Sequence, residues 1–253
     1  MNDRLINVAV VGLKFGRLLL PAIRRTPGLR LVALADRNGI DPRDAQGTTC
    51  CADGVEMVRD ASIDAVVIAT SPRGRAPPLH AAAERGLWCF VEKPWACSPD
   101  HARSLRSVCE PIAHQVMLGF SFRLLPALVE LRRLLGAELG RPLQLSGECV
   151  FDCQNPPSHW IWQADAGGGF FNENTCHLFD AVCSLVGRPV SLHAMTANPR
   201  RRPMPEVACI NLARLHVNPS AVRRMFGLRD GPARATFGSW RLGRRGSEPW
   251  MGA

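Results

Sequence analysis

The chain has 253 residues, 46% of them hydrophobic and 21% charged, the balance of a globular protein with room for one large domain or two modest ones. Its longest apolar run, Leu5 to Leu13, is about half the length a bilayer span needs, and no charged leader with a small-residue cleavage site opens the chain, so a cytoplasmic protein with no membrane partner is expected. The net charge of +9 does not mark a nucleic-acid binder: residues 200–253 carry eleven Arg against three acids, +8, while the first 199 residues carry twenty basic and nineteen acidic groups, +1.

The elements of the first 120 residues alternate. Ile6 to Gly12 is a Val-rich strand. Residues 16 to 28 have helical patterning, which Pro21 must kink or confine to a first turn. Strands follow at 29–36 and 63–70, then a helix over 76–86 stopped by Gly86, and a strand over 87–92. Ser98-Pro99 supplies a cap and first position for a helix over 98–110, and 113–120 is a fifth strand. Strands alternating with helices of this length predict a doubly wound parallel sheet.

After residue 121 the rhythm changes. An amphipathic helix over 125–136, an alternating strand over 142–151, a Trp-rich loop, a Gly run with a helix, and strands at 190–197 and 206–217 predict a partial α+β domain. The expected organisation is a dinucleotide-binding domain over 1–121, an α+β substrate and oligomerisation domain over 122–214, and an Arg-rich tail over 215–253. Ten cysteines contain no C-x-x-C pair, and most lie in apolar segments, where a thiol behaves as a small hydrophobe.

Three stretches carry chemistry. The first is "VVGLKFG", with Gly12, Lys14 and Gly16 between a strand and a helix. It is a degenerate form of the G-x-G-x-x-G turn that lets a backbone approach a pyrophosphate. A plain strand-to-helix turn explains the glycines equally well. Asp36, 24 residues after Gly12 at the end of the second strand, adds the acid that accepts hydrogen bonds from ribose hydroxyls, and Arg37 beside it keeps a 2′-phosphate open. The second is "VEKPWA", with Glu92 and Lys93 at the carboxyl end of a strand, where open α/β sheets bind ligands. The chain has only two lysines, Lys14 and Lys93, against 29 Arg, and Lys is the cation whose pKa can be brought into a working range. An exposed ion pair is the plainer reading of Glu92-Lys93. The third is the helix from about Glu173, on which Glu173, His177, Asp180 and Ser184 fall on one stripe. A solvated helix face explains that stripe too, and a metal site lacks a third ligand.

Together these stretches resemble the glucose-fructose oxidoreductase / inositol dehydrogenase (Gfo/Idh/MocA) family. The matching runs are the nucleotide turn, "DAVVIATSP" with His80 soon after, "EKP", "GFSFRLLP" and the "GGG…H..D" segment, in the family's order over roughly residues 5 to 212. The resemblance implies a Rossmann domain followed by an α+β domain with an open sheet, here incomplete. It implies NAD or NADP as cofactor and a secondary alcohol or ketone of a sugar, polyol or related small molecule as substrate. Lys93 and His177 fall on the family's catalytic positions, Glu173 stands where an Asp is usual, and Asp180 matches the second acid. Gly12, Lys14, Phe15, Gly16, Asp36, Arg37, Thr70, Glu92 and Lys93 are the expected cofactor contacts. His is suited to taking a carbinol proton near neutrality, and an ammonium to polarising the same oxygen. His80 is as readily an ordinary helix residue.

Two departures shape the alternatives. Lys14 stands where a Gly is usual, and a similar "FG" turn occurs in thiazolinyl imine reductases. Beyond residue 214 the resemblance fades into an Arg-, Gly- and Pro-rich tail, which reads as a truncation or an out-of-frame segment that leaves the sheet short of strands. The rival expectations are a non-catalytic nucleotide-binding relative, an imine-reductase-like member, and a nucleic-acid binder acting through its tail. The short C-terminus also weighs against a homo-oligomer.

Overall fold

The computed structural model describes residues 4–140, 142, 155, 156, 158–169, 171–189, 193–197 and 207–211. The chain divides into two compact units: Met1–Gly119 with Gln163–Gly168, and Phe120–Trp162 with the chain from Gly169 onward.

The first unit is built on six parallel strands: β1 (Ile6–Val11), β2 (Leu29–Ala35), β3 (Thr49–Cys51), β4 (Ala65–Ile68), β5 (Trp88–Val91) and β6 (Val116–Leu118), in the order β3-β2-β1-β4-β5-β6. This is the dinucleotide-binding order, and it reverses direction between β1 and β4. Buried parallel strands read as continuous apolar runs because both faces are covered. One face carries Ala9, Val11, Ala33, Ala35, Val66, Ile68, Cys89 and Val91 against Met57, Val58, Leu79, Ala82 and Leu105. The other carries Val8, Val10, Leu31, Leu34 and Val67 against Leu13, Leu20 and Ile23. A register shift between Val8/Leu31 and Ala9/Ala33 leaves Val32 as an extra residue, so Leu31 and Ala33, two apart in sequence, reach opposite faces.

The helical patterning after Gly12 divides into α1 (Leu13–Gly16) and α2 (Leu20–Arg25), with Pro21 in the first turn of α2. Proline has no N–H to bond the Arg17 carbonyl, and the turns between are i→i−3, Leu18 to Phe15 and Leu19 to Gly16. β3 and α3 (Gly54–Asp60) lie where the sequence shows no long apolar run; Asp53 caps α3 by accepting from the Val55 and Glu56 amides. α4 (Ala76–Glu84) ends near Gly86, which has φ 63°, and α5 (Pro99–Cys109) begins at Ser98, whose Oγ accepts the His101 amide at 3.1 Å. β6 is shorter than the expected 113–120, because a 3-10 segment starting at Glu110-Pro111 takes the chain to Gln115.

In the second unit, a 3-10 turn (Ser121–Leu124) leads to α6 (Pro126–Leu134) and a π-helical turn (Leu135–Leu139). A second π-helical turn (Phe171–Thr175) precedes α7 (Cys176–Val186), so Glu173 lies before the α-helix that carries His177 and Asp180. β7 (His193–Ala197) and β8 (Val207–Asn211) pair antiparallel. The strand expected over 142–151 and the tail over 215–253 fall outside the described residues. Among the described residues no helix is long and apolar enough to cross a membrane.

Candidate active site

Because all six strands are parallel, the residues that follow them meet at one edge of the sheet: Gly12 after β1, Asp36 after β2, Thr70 after β4, Glu92 and Lys93 after β5, and Gly119 after β6. Gly12 lies at the reversal point with φ 89°, a conformation L side chains rarely adopt. A Cβ there would stand 2.9 Å from the Ala69 carbonyl carbon and 2.9 Å from the Thr70 nitrogen. Gly16 does a different job: a Cβ would meet Val10 at 2.9 Å and Ala69 at 3.2 Å, so its hydrogen lets α1 pack on the sheet. The middle glycine of the dinucleotide turn is replaced by Lys14, which is exposed, as are Phe15 and Arg37.

Asp36 ties two strand ends together. Its Oδ2 accepts the Leu13 amide at 2.6 Å and its Oδ1 accepts the Asn38 amide at 2.8 Å. Each oxygen keeps a further lone pair. Thr70 Oγ1 is buried and has no hydrogen-bond partner among the described residues. A backbone cradle in which Gly12 packs directly on the Ala69–Thr70 strand end, with an orphaned hydroxyl beside it, fits a dinucleotide bound over the β1–β4 reversal.

Glu92 is buried, and its Oε2 accepts the Lys93 amide at 3.2 Å. Gly119 makes room for it: a Cβ there would lie 3.1 Å from Glu92 Oε1. Lys93 is half-buried, and the Lys93–Pro94 peptide is cis. Arg75, with 0% exposure, donates to the carbonyls of Thr70, Pro94 and Trp95. The sequence draws attention to His80 instead, which is exposed on α4.

In the second unit, His177 is buried, its ring stacked on Phe122 (centroids 4.6 Å apart, planes at 16°) and edge-on to Phe120 at 6.1 Å. Three residues on, Asp180 takes a two-pronged ion pair from Arg123, with Nε to Oδ2 at 2.6 Å and Nη2 to Oδ1 at 2.5 Å. That hydrogen bonding raises the Arg123 guanidinium above its ordinary value, against a smaller opposing effect of burial. Ser184 receives a bond from Arg132 at 3.3 Å. The stripe His177, Asp180, Ser184 therefore meets the Phe120–Arg132 segment. Glu173 lies one turn before, its amide bonded to the Gly169 carbonyl at 3.1 Å. The structure thus groups the first-unit residues on one sheet edge and His177 with Asp180 on one helix face. The partners that sequence reasoning missed are Arg75, Gly119, Phe122 and Arg123; the last three lie in the "GFSFRLLP" run, and nothing in the sequence distinguishes Arg75 from the other 28 arginines.

Residues 6–120 match the model of an oxidoreductase family with an NAD-binding Rossmann fold, GFO_IDH_MocA, and residues 129–218 match the C-terminal domain of the same family. The chain belongs to the Gfo/Idh/MocA oxidoreductase family. Among curated relatives of this family member, inositol 2-dehydrogenase 4 of Saccharopolyspora erythraea is 34% identical over 176 residues, covering 66% of this chain and 49% of the relative. The scyllo-inositol 2-dehydrogenase (NAD(+)) of Bacillus subtilis is 28% identical over 174 residues, 67% of this chain and 50% of the relative. A myo-inositol dehydrogenase structure from Corynebacterium glutamicum superposes with a TM-score of 0.69 at 24% identity, over 79% of this chain and 60% of that one, which supports the fold. The chain spans about half the length of the curated relatives it matches.

Proposed function

We propose that this chain acts as an NAD(P)-dependent oxidoreductase on the secondary alcohol or ketone of a sugar or polyol. The observation that carries the reading is the Gly12 cradle against Ala69 and Thr70 at the strand-order reversal, with Lys93 at the same sheet edge. A nicotinamide dinucleotide, when bound, supplies the hydride acceptor or donor. Gly12 and Gly16 let the turn pack tightly on the Ala69–Thr70 strand end and on Val10, which holds the start of α1 at the sheet edge where it would bind. Lys14, Phe15 and Arg37 offer exposed contacts, Thr70 Oγ1 offers a hydroxyl, and Glu92 fixes the Lys93 turn through the Lys93 amide. The remaining lone pairs of Asp36 face the choice between ribose hydroxyls and a 2′-phosphate; a carboxylate there favours the hydroxyls.

For the chemistry, the Lys93 ammonium holds and polarises the substrate oxygen. The His177 imidazole takes the hydroxyl proton as the carbon–hydrogen bond gives up its electron pair, leaving a carbonyl, and returns it in the reverse direction. Phe122 stacking and the Arg123–Asp180 pair set the ring's place on α7, and Glu173 is assigned a supporting role. Support for a polyol substrate comes from the names of the inositol dehydrogenases that this chain resembles.

The test is a titration of the purified chain with NADH and NADPH by nicotinamide fluorescence, followed by turnover assays with myo-inositol and scyllo-inositol. Saturable binding and turnover are expected. Lys93→Ala and His177→Ala should each lower turnover by about 10²–10⁴-fold, the scale of acid–base catalysis, with NADH affinity retained. An active double variant would remove both residues from the chemistry. Binding without turnover on any polyol would remove the polyol assignment and favour the nucleotide-binding reading.

A further inference from the structure

A guanidinium is permanently charged, and its burial is unfavourable unless its donors are filled. Apolar residues of similar volume seal a protein interior as well or better. Arg75 is nevertheless fully buried at the start of α4. Its two Nη nitrogens donate to two different loops. Nη2 bonds the Thr70 carbonyl at 2.8 Å, in the loop after β4. Nη1 bonds the Pro94 carbonyl and, at 3.3 Å, the Trp95 carbonyl, both in the loop after β5. The two nitrogens belong to one rigid planar fork, so the spacing between these loops is set by the width of the fork. One loop carries the orphaned Thr70 hydroxyl and the Gly12 cradle; the other carries Lys93, whose own carbonyl-side neighbour is the anchored Pro94.

We propose that Arg75 is a positioning residue that aims Lys93 at the ligand held by the Gly12–Thr70 cradle. The inference rests on the assignment of Lys93 and the cradle to one cofactor site. It goes beyond that assignment by naming the side chain that couples the two loops, a side chain that touches neither cofactor nor substrate. Gln at this place is neutral and shorter and cannot span both loops. Lys keeps the charge but, lacking a fork, cannot hold both carbonyls at a fixed spacing.

The chain's two lysines make the test direct. Protein labelled with 13C at lysine Cε gives one resonance for Lys14, on the glycine turn, and one for Lys93, assigned with Lys93→Arg. NADH is titrated into wild type and Arg75→Gln. In wild type both resonances are expected to shift. In Arg75→Gln the Lys14 response should persist and the Lys93 response should be lost, a split that a general loss of folding would not produce. An equal Lys93 shift in both proteins overturns the role of Arg75 and leaves the cofactor site intact. A silent Lys93 in wild type overturns the assignment of Lys93, and the inference with it. If Arg75→Gln fails to fold, Arg75→Lys takes its place, its added lysine resonance identified by absence from wild type. Loss of the Lys93 shift there supports the fork, and a full Lys93 shift sinks it.

Discussion

In the first unit, parallel strands from Ile6 to Leu118 bury apolar side chains on both faces, and the candidate site is made largely of backbone held at their ends. In the second, the described contacts of α7 are a stacked imidazole, a two-pronged ion pair and a hydroxyl, with Ala181 and Val186 as its buried apolar residues. Among the described residues, the difference is between a site held at strand ends over a core and a helix stripe held by the Phe122 ring, the Arg123 ion pair and Arg132. A core fixes backbone geometry whatever the loop residues are, so the first site should fail by steric intrusion. Polar partners depend on one another, so the second should fail by leaving one of them uncompensated.

The largest effect expected is at the cradle. Gly12→Val puts a branched side chain at φ 89° and its Cβ against the Ala69–Thr70 backbone. Strained backbone of this kind costs roughly 1–3 kcal/mol, and the neighbouring strand end must move to accept the side chain. NADH affinity should fall by at least about 100-fold, or about 3 kcal/mol, while α7 and its partners stay as they are. Fluorescence titration measures the affinity; an unchanged Kd would take the turn out of the site.

Next comes the ion pair. The Asp180 side chain is 9% exposed and that of Arg123 is 51% exposed. Arg123→Met strands a nearly buried carboxylate and should cost about 1–3 kcal/mol, toward the low end because the guanidinium is half in water. Asp180→Asn leaves a guanidinium that water can still reach and should cost less. In the first unit, Arg4 with Asp64 is an exposed pair, and Arg4→Met should change stability by no more than about 0.5 kcal/mol. Urea denaturation of the three variants checks the ranking. Equal losses for Arg123→Met and Asp180→Asn would contradict the burial argument.

These two effects also mark what the sequence made legible. The parallel sheet was readable because strands covered on both faces are written as runs such as Val8 to Val11 and Val66 to Ile68. Ser98 was readable as a cap, because its hydroxyl needs only the amide three residues on. β3 was not, since three residues of edge strand among Gly, Asp and Arg give no period to detect. Gly12 and Asp36 could be placed from their positions relative to strand ends. Arg75 could not, because two of the carbonyls it serves, Pro94 and Trp95, lie nineteen and twenty residues further along the chain. The stripe His177, Asp180, Ser184 was visible as a stripe. Whether it faced water or protein depended on Phe122, Arg123 and Arg132, more than forty residues earlier.

A smaller effect separates the two dinucleotides. Asp36→Asn replaces one carboxylate oxygen with an amide and weakens the acceptors of the Leu13 and Asn38 amides. A hydrogen bond to a charged group contributes about 1.5–3 kcal/mol. Shared with two backbone donors that remain partly served, the loss for NADH should be about tenfold, or 1.4 kcal/mol. NADPH should lose less, because the carboxylate repels its 2′-phosphate and the variant does not. Equal losses would mean that Asp36 serves the turn and not the ribose.

The smallest effect near neutral pH tests the core itself. Burial pushes the Cys89 thiol up to about 12 and the Cys109 thiol up to about 11. Both lie in the first unit's packed face, while Cys50 is exposed on β3. An unfolded thiol ionises near pH 8.5. Below that pH the native and unfolded chains bind the same proton at these thiols, and neither contributes a slope. Above it the unfolded chain releases the proton and the native chain keeps it, so stability falls as pH rises, by up to about 1.4 kcal/mol per pH unit per thiol. The fall should continue until the native thiols ionise at about 11 for Cys109 and about 12 for Cys89. A Cys89→Ala, Cys109→Ala protein should lose this slope between pH 9 and 11 and match wild type in slope at pH 7. In wild type at pH 8, iodoacetamide should label Cys50 readily and leave Cys89 and Cys109 untouched. Matching slopes in the alkaline range, or rapid labelling of Cys89, would mean that the face of the sheet that positions Val91 and the Lys93 turn opens to water far more often than its packing implies.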